Sequence, residues 1–272
     1  MKLTHETRTV HTRHPFIIAR GGSSEWRTVT VTVTDRDGAT GIGEAAPSRF
    51  YGENAESVVA AVQRFAPLVE GMDAWSLEAV ERELDKAIRF NGAAKSAVSA
   101  ALHDLQAKRL GVPLHRLWGL DPAQSPQSSY TIGIAPSRDE TIAKVREAAE
   151  YPILKVKLGS PRDEEIIRTV REAAPGKVLR VDANAAWTAK QAIRMIPLLE
   201  ELGVEFVEQP LPPHDLEGLK FVRERSRLPI VADESCVIAT DIPKLVGVVD
   251  GINIKLAKCG GLREALRMIA TA

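Results

Sequence analysis

The residues of this chain that could do chemistry stand at the ends of short apolar segments. Several such segments occur along the second half of the 272-residue sequence, and five of them close on charged side chains. The charged residues are Lys155, Lys157, Asp182, Glu208, Asp233 and Lys255. They follow one another at nearly even intervals, as repeated structural units would place them. Amines and carboxylates gathered at one site are typical of acid–base chemistry around a hard cation.

The three acids are candidate ligands for a metal ion. Asp182, Glu208 and Asp233 close three successive apolar segments, and no His or Cys closes a comparable one. An oxygen-only set suits Mg²⁺ better than zinc, which prefers nitrogen and sulfur ligands. Three carboxylates also leave about half of an octahedral shell for water and an anionic substrate. We therefore expect one Mg²⁺ ion at the site.

The lysines acquire a role next to that cation. Lys155 and Lys157 are two residues apart on a predicted strand, so both side chains point to the same face. A neighbouring positive charge disfavours protonation and lowers the pKa of a lysine toward the range of a general base. Lys255 would approach from the opposite side. Opposed amines beside a metal-bound carboxylate predict removal of the adjacent C–H proton and its return on the other face.

The elements that position these residues are predicted to form an α/β fold. The apolar segments are continuous rather than alternating, which is typical of parallel strands buried on both faces. They cover residues 130–134, 153–158, 178–181, 204–207, 230–232 and 248–254. A helical segment follows each, and the absence of a G-x-G-x-x-G motif argues against a dinucleotide-binding sheet. We prefer a TIM-type barrel, because it gathers the C-terminal strand ends into one ring.

A separate α+β domain is predicted to precede the barrel. Residues 27–35 alternate valine with threonine, and residues 39–45 follow a turn, which predicts a β-hairpin. Helical spacing of apolar residues predicts helices over 55–68, 77–88 and 93–110. A linker rich in Pro, Gln and Ser follows at 121–129. We therefore place the two domains at 1–125 and 126–272.

This constellation resembles the enolase superfamily, in its muconate-lactonising branch. The resemblance rests on the Lys-x-Lys strand, the three acids at their intervals and the lysine that precedes Lys258-Cys-Gly-Gly. Within that branch the chain is most similar to dipeptide epimerases of the L-Ala-D/L-Glu type, through residues 14–20, 43–48, 130–133 and 154–159. The resemblance implies an N-terminal α+β capping domain followed by an incomplete (β/α) barrel, with about six of the usual eight units.

The resemblance also implies a role for each charged residue at the strand ends. Lys157 and Lys255 would be the catalytic acid–base pair. Lys155 would lower the pKa of Lys157 and contact the bound carboxylate. The Mg²⁺ ligands would be Asp182, Glu208 and Asp233.

Two further residues are implied to contact substrate. Arg20 and Thr131 match substrate-contacting positions of the dipeptide epimerases, and a cationic Arg20 suits an acidic substrate side chain. Residues 14–26 and 46–53 would form the two loops of the capping domain that close over the barrel.

The implied reaction is Mg²⁺-dependent epimerisation at the α-carbon of a dipeptide, by 1,1-proton transfer between two lysines. The same site would serve muconate-type cycloisomerisation, o-succinylbenzoate synthesis or N-acyl amino acid racemisation, and these alternatives stay open. The family's Asp-x-Asp motif, which holds the dipeptide ammonium group, belongs to the eighth strand, whereas Ala272 lies in a helix after the sixth. We therefore expect a truncated chain. An inactive barrel that associates with a partner or with another copy is a further alternative.

The composition argues against several other classes of protein. The chain has 36 basic and 36 acidic residues, and this balance provides no drive toward nucleic acid or an anionic membrane. No apolar stretch is long enough to span a bilayer, and the first residues lack a secretory apolar core. Cys236 and Cys259 are typical of free thiols in a reducing cytoplasm. We expect a cytoplasmic enzyme that acts on a small carboxylate, with homo-oligomer formation left open.

Overall fold

The structure, a computed structural model, describes residues 1–272 and divides into two compact units. The first, here called the α+β unit, contains residues 1–11, 25–125 and 254–272. The second, the barrel unit, contains residues 12–24 and 126–253. None of the helices combines the length and the apolar character needed to cross a membrane.

A three-stranded sheet and four helices form most of the α+β unit. The strands are β1 (Lys2–Ile18), β2 (Gly21–Thr34) and β3 (Thr40–Ala45), in that order across the sheet. The helices are α1 (Ala55–Val69), α2 (Leu77–Ala87), α3 (Gly92–Leu110) and α4 (Leu114–Leu117). The predicted hairpin is confirmed, because β2 and β3 pair antiparallel and Val29, Val31 and Val33 are fully buried between the sheet and the helices.

Helix α3 packs unusually close to strand β3 because two glycines face it. A Cβ at Gly43 would lie 2.0 Å from the carbonyl oxygen of Ala97, and one at Gly41 would lie 2.0 Å from that of Ala101. Both distances are far below van der Waals contact, so only glycine permits this approach. The small residues of this alanine-rich helix complete the packing, and its alanines at the sheet are fully buried.

Six parallel strands form the sheet of the barrel unit, in sequence order from β4 to β9. They are β4 (Ser129–Ile132), β5 (Ile153–Lys157), β6 (Val178–Asp182), β7 (Val204–Glu208), β8 (Ile230–Ala232) and β9 (Gly251–Ile252). Helices follow the strands: α5 (Arg138–Glu147), α6 (Asp163–Ala173), α7 (Ala189–Glu201), α8 (Leu216–Arg223) and α9 (Ile242–Leu245). Two more helices, α10 (Leu256–Cys259) and α11 (Leu262–Thr271), belong to the α+β unit. The predicted α/β class and its six parallel strands are confirmed.

The register of the central strands brings their last residues abreast. Strands β5 and β6 pair regularly, so Lys157 stands opposite Asp182. Between β6 and β7 the register shifts: Leu179 pairs with Val204, and Asp182 pairs with Glu208. Strand β7 therefore uses one residue more than β6 between these two pairs, as in a β-bulge. The irregularity places the two carboxylates side by side.

Candidate active site

Three carboxylates meet at the C-terminal edge of the parallel sheet. Asp182 and Glu208 are the last residues of β6 and β7, and Asp233 directly follows β8. One carboxylate oxygen from each lies within 4.8 Å of the other two, and all three residues are buried. The spacing of charged residues in the sequence therefore predicted a real cluster of acids.

Both lysines of β5 point into this cluster. The amino group of Lys157 lies 2.7 Å from Oδ2 of Asp182. The amino group of Lys155 lies 2.9 Å from the same oxygen and 2.6 Å from Oε1 of Glu208. Asp182 thus forms ion pairs with both lysines, and Lys155 forms ion pairs with both Asp182 and Glu208.

Burial and charge act in opposite directions on these groups. Burial alone would raise the pKa of Asp182, but the two lysines outweigh it and hold that pKa well below its ordinary value. The pKa of Glu208 is raised by burial and by the nearby charge of Asp182, against the opposing effect of Lys155. The site therefore holds one strongly ionised carboxylate beside one that is ionised less readily.

The two lysines also differ from each other. Burial lowers the pKa of Lys157, and the positive charge of Lys155 adds to this effect, while Asp182 opposes it. Burial likewise disfavours the charged form of Lys155, but Asp182 and Glu208 outweigh it and raise its pKa. Lys157 is therefore the amine whose pKa lies closer to the range of a general base.

The donor set suits a hard divalent cation. The acidic cluster offers carboxylate oxygens only, buried and close enough to share one ion. Asn184 adds a buried side-chain oxygen, Oδ1, that has no hydrogen-bond partner. Its backbone N–H donates to Oδ1 of Asp182 at 2.8 Å, and its φ of 47° turns the chain sharply after β6. These residues fit Mg²⁺, and Asp182, Glu208 and Asp233 are the residues that would hold it.

A glutamine that sequence reasoning did not single out fixes the third ligand loop. The Oε1 atom of Gln209 accepts hydrogen bonds from the backbone N–H groups of Asp233 and Ser235, at 2.9 and 3.1 Å. Its Nε2 donates to the carbonyl oxygen of Leu211 and to the hydroxyl of Ser235. Gln209 is fully buried and follows Glu208 directly, so one short segment carries one acid and holds the loop of another. Its position next to a predicted ligand was the available signal.

Asn253 supports the second ligand. Its Nδ2 donates to Oε1 of Glu208 at 2.8 Å, the same oxygen that Lys155 contacts. Asn253 follows the short strand β9, so residues from β5 and from the end of β9 both hold this carboxylate of β7. Nothing in the sequence distinguished it from other polar residues near a strand end.

The two residues predicted to contact substrate also lie in the barrel unit. Thr131 stands on β4 in register with Lys155 and is half-buried. Arg20 lies in the turn between β1 and β2, with Nη2 2.8 Å from Oε1 of Glu234 and Nη1 2.5 Å from the carbonyl oxygen of Asn184. In the same segment the ring of Phe16 faces Lys157, with the amino group 6.0 Å from the ring centroid. Sequence reasoning missed Phe16 and Glu234.

Lys255 lies just after β9, where its extended backbone precedes helix α10. It belongs to the α+β unit, whose last segment begins at residue 254. Its opposition to Lys157 stays a prediction.

The geometry of the barrel unit supports one kind of chemistry. A buried oxygen pocket for a dication lies beside an amine whose pKa is lowered, and a second amine carries a stable positive charge. Such an arrangement binds a carboxylate and moves a proton on the carbon next to it.

Two family patterns match the chain. Residues 2–119 match the mandelate racemase/muconate lactonizing enzyme N-terminal domain, and residues 138–272 match the enolase C-terminal domain-like family. An L-Ala-D/L-amino acid epimerase of Maribacter sp. is 39% identical over 272 residues, which is all of this chain and 79% of that protein.

Solved structures give the same picture. A dipeptide epimerase from Cytophaga hutchinsonii, complexed with Mg and D-Ala-L-Val, superposes with a TM-score of 0.94 at 31% identity, covering 100% of this chain and 77% of that one. A substrate-liganded L-Ala-D/L-Glu epimerase from Bacillus subtilis gives a TM-score of 0.94 at 30% identity, covering 100% of this chain and 79% of that one.

Proposed function

Because this chain belongs to the mandelate racemase/muconate lactonizing enzyme family of the enolase superfamily, we propose that it is a Mg²⁺-dependent dipeptide epimerase. The observation that carries the proposal is the contact between Lys157 and a buried cluster of three acids. The epimerases similar to this chain supply the substrate class.

Asp182, Glu208 and Asp233 would hold Mg²⁺, which would supply positive charge next to a substrate carboxylate while the adjacent carbon loses its proton. Lys155 assists from the same side, because its raised pKa keeps it protonated beside the carboxylate. The substrate carboxylate therefore binds at the edge of the sheet where β5, β6 and β7 end.

Lys157 takes the α-proton from one face of the substrate, because its lowered pKa makes the neutral amine available. Lys255 returns a proton on the opposite face, and the reaction runs in either direction. The ring of Phe16 lies beside the Lys157 amine, with the amino group 6.0 Å from the ring centroid. Thr131 and Arg20 contact the remainder of the dipeptide, and Arg20 suits an acidic side chain.

The experiment incubates the protein with Mg²⁺ and a panel of dipeptides in D₂O, including L-Ala-L-Glu and L-Ala-L-Val. We expect loss of an α-proton signal in NMR spectra together with formation of the other epimer. Chelation of the metal should stop both. Lys157→Gln should abolish epimerisation, whereas the exposed Lys190→Gln should behave as wild type. Absence of deuterium incorporation across the panel, in folded protein with measured Mg²⁺ binding, would overturn the proposal.

A further inference from the structure

The turn that carries Arg20 is docked on the barrel unit. We call residues 12–24 the hairpin tip; they comprise the end of β1, the turn and the start of β2. The backbone N–H of Ile134 donates to the carbonyl oxygen of Ile17 at 2.9 Å. At Gly159, whose φ is 101°, a Cβ would lie 2.6 Å from the Cβ of Ala19, so the loop after β5 also approaches the hairpin tip closely.

Two ion pairs fasten the hairpin tip, and they differ in burial. Nε2 of His14 lies 2.9 Å from Oε2 of Glu147. The His14 side chain is 43% exposed and that of Glu147 is 34% exposed, so solvent screens this pair. Arg20 lies 2.8 Å from Glu234, whose side chain is only 2% exposed. A buried carboxylate depends far more on its partner, because it has lost its hydration. The Arg20–Glu234 pair therefore dominates the attachment.

The acceptors of Arg20 belong to loops next to candidate metal ligands. Glu234 directly follows Asp233, and Asn184 lies two residues after Asp182. The guanidinium group of Arg20 thus joins the loop after β8, through Glu234, to the loop after β6, through the carbonyl oxygen of Asn184. Its side chain is 31% exposed, so part of the group still faces outward.

We propose that Glu234 is a positioning residue that holds Arg20, and through it the hairpin tip, against the loops after β6 and β8. The second carboxylate oxygen of Glu234 is buried and has no hydrogen-bond partner, so the carboxylate is compensated mainly through its contact with Arg20. Glu234 acts on substrate only through Arg20. The consequence for substrate rests on the proposed function, but the consequence for the hairpin tip does not.

Hydrogen exchange of the full-length protein tests the attachment. Glu234→Gln keeps the shape of the side chain and removes its charge. We expect exchange in residues 12–24 and at the Ile134 amide to become at least about ten-fold faster, because a charge-assisted hydrogen bond is lost. Glu147→Gln, which breaks the exposed pair on the same hairpin tip, is the matched control and should change exchange less than about three-fold. Unchanged exchange in the Glu234→Gln protein would overturn the proposal.

A second variant guards against misfolding of the first. Arg20→Gln leaves Glu234 in place and should accelerate the same amides, and the double variant should exchange no faster than either single variant, because both remove one interaction. Additive acceleration would contradict the pairing.

Kinetics separate this inference from the proposed function. With a dipeptide that carries an acidic side chain, Glu234→Gln should raise KM by at least about ten-fold and lower kcat much less. With an uncharged dipeptide KM should change little. An inactive wild-type protein whose hairpin tip still loosens in the Glu234→Gln variant refutes the epimerase proposal alone. An active wild type with an unaffected hairpin tip refutes the positioning role alone.

Discussion

Lys157 and Asp182 are register partners at the ends of neighbouring parallel strands, and their charged groups meet at 2.7 Å. The carboxylate is fully buried and also contacts Lys155. Backbone pairing therefore decides which charges meet, and side-chain conformation only completes the contact. The acid has a structural role as well as a chemical one.

Asp182→Asn should destabilise the metal-free protein by about 3 kcal/mol, because it leaves two buried amines without their shared acid. Urea unfolding in the presence of a chelator measures the change. The control is Glu205→Gln, which breaks the more exposed pair with Arg180 on the same sheet and should cost no more than about 1 kcal/mol. Equal losses in the two variants would contradict this account.

Asp233→Asn should weaken Mg²⁺ binding by at least about ten-fold, since one of three charged ligands is lost. Calorimetric titration gives the affinity directly. Mg²⁺ at about 100 times its Kd should stabilise the wild type by about 2.7 kcal/mol, and the same concentration should stabilise the variant much less. The exposed Glu217→Gln should bind the ion as wild type does. Full affinity in Asp233→Asn would exclude this residue as a ligand.

Substitution of either proposed base should leave an enzyme that exchanges a proton on only one face of the α-carbon. Lys157→Gln and Lys255→Gln should each lower epimerisation by about 10²–10⁴-fold. Each variant should still exchange the α-proton of one epimer with D₂O, and the two should retain opposite epimers. The measurement is NMR on each pure epimer separately. Retention of the same epimer by both variants would show that the amines do not face opposite sides of the carbon.

Gly43→Ala should destabilise the α+β unit by about 3 kcal/mol, because the new methyl group would lie 2.0 Å from a backbone oxygen of α3. Gly71→Ala meets no atom within 4 Å and is the matched control, with an expected change within about 1 kcal/mol. Thermal or urea unfolding distinguishes them. A mild effect at Gly43 would mean that α3 can move away from the sheet.

Stability should fall as the pH drops below the ordinary histidine pKa of 6.5, because of His103. Burial lowers the pKa of its ring, and Arg263 adds to this, although the contact of Nδ1 with the carbonyl oxygen of Ser99 opposes it. A depressed pKa in the folded state means that the unfolded chain binds the proton first. The contribution is therefore complete above pH 6.5 and is lost on acidification toward the folded pKa.

The expected slope from this group is at most about 1.4 kcal/mol per pH unit. His103→Gln should flatten the profile of unfolding free energy between about pH 5 and 7 relative to wild type. Parallel profiles would assign the acid sensitivity to other groups.

Most strands of the barrel unit were predictable because burial on both faces leaves a continuous apolar segment. Residues 153–158 were predicted and the strand is Ile153–Lys157. The last strand is shorter than predicted: residues 248–254 were expected and only Gly251–Ile252 pair as a strand. There the N–H groups of Val248 and Val249 bond to the carbonyl oxygen of Leu245, so these apolar residues complete a helix end instead.

Strand β1 (Lys2–Ile18) escaped prediction for the opposite reason. Most of its side chains are exposed, and its sequence is largely polar. The alternation of apolar and polar residues that identifies a half-buried strand is therefore missing. The three acids and Lys155–Lys157 were predicted, because strand ends of a parallel sheet share one edge. Gln209 and Glu234 were not, since their contribution depends on which loops the fold brings together.

The family resemblance is confirmed by matches to both domains and by relatives of 39% identity over the full chain. The boundary between the two sequence domains at residue 125 stays a prediction. The compact units group differently in space, because residues 12–24 associate with the barrel strands and residues 254–272 with the α+β elements.

Strand β7 has one residue more than β6 between the Leu179–Val204 pair and the Asp182–Glu208 pair. This extra residue separates the part of β7 that packs in the core from the part that carries the carboxylate. Val204 packs in the core of the barrel unit, whereas Glu208 lies at the C-terminal edge of the sheet. The extra residue between them accommodates the difference in register between β6 and β7. An evolving chain can therefore shorten that stretch by one residue and keep the two carboxylates abreast. A shift of the whole of β7 by one residue would instead pair Val207 with Asp182. An aliphatic side chain would then occupy the position of a carboxylate in the acidic cluster.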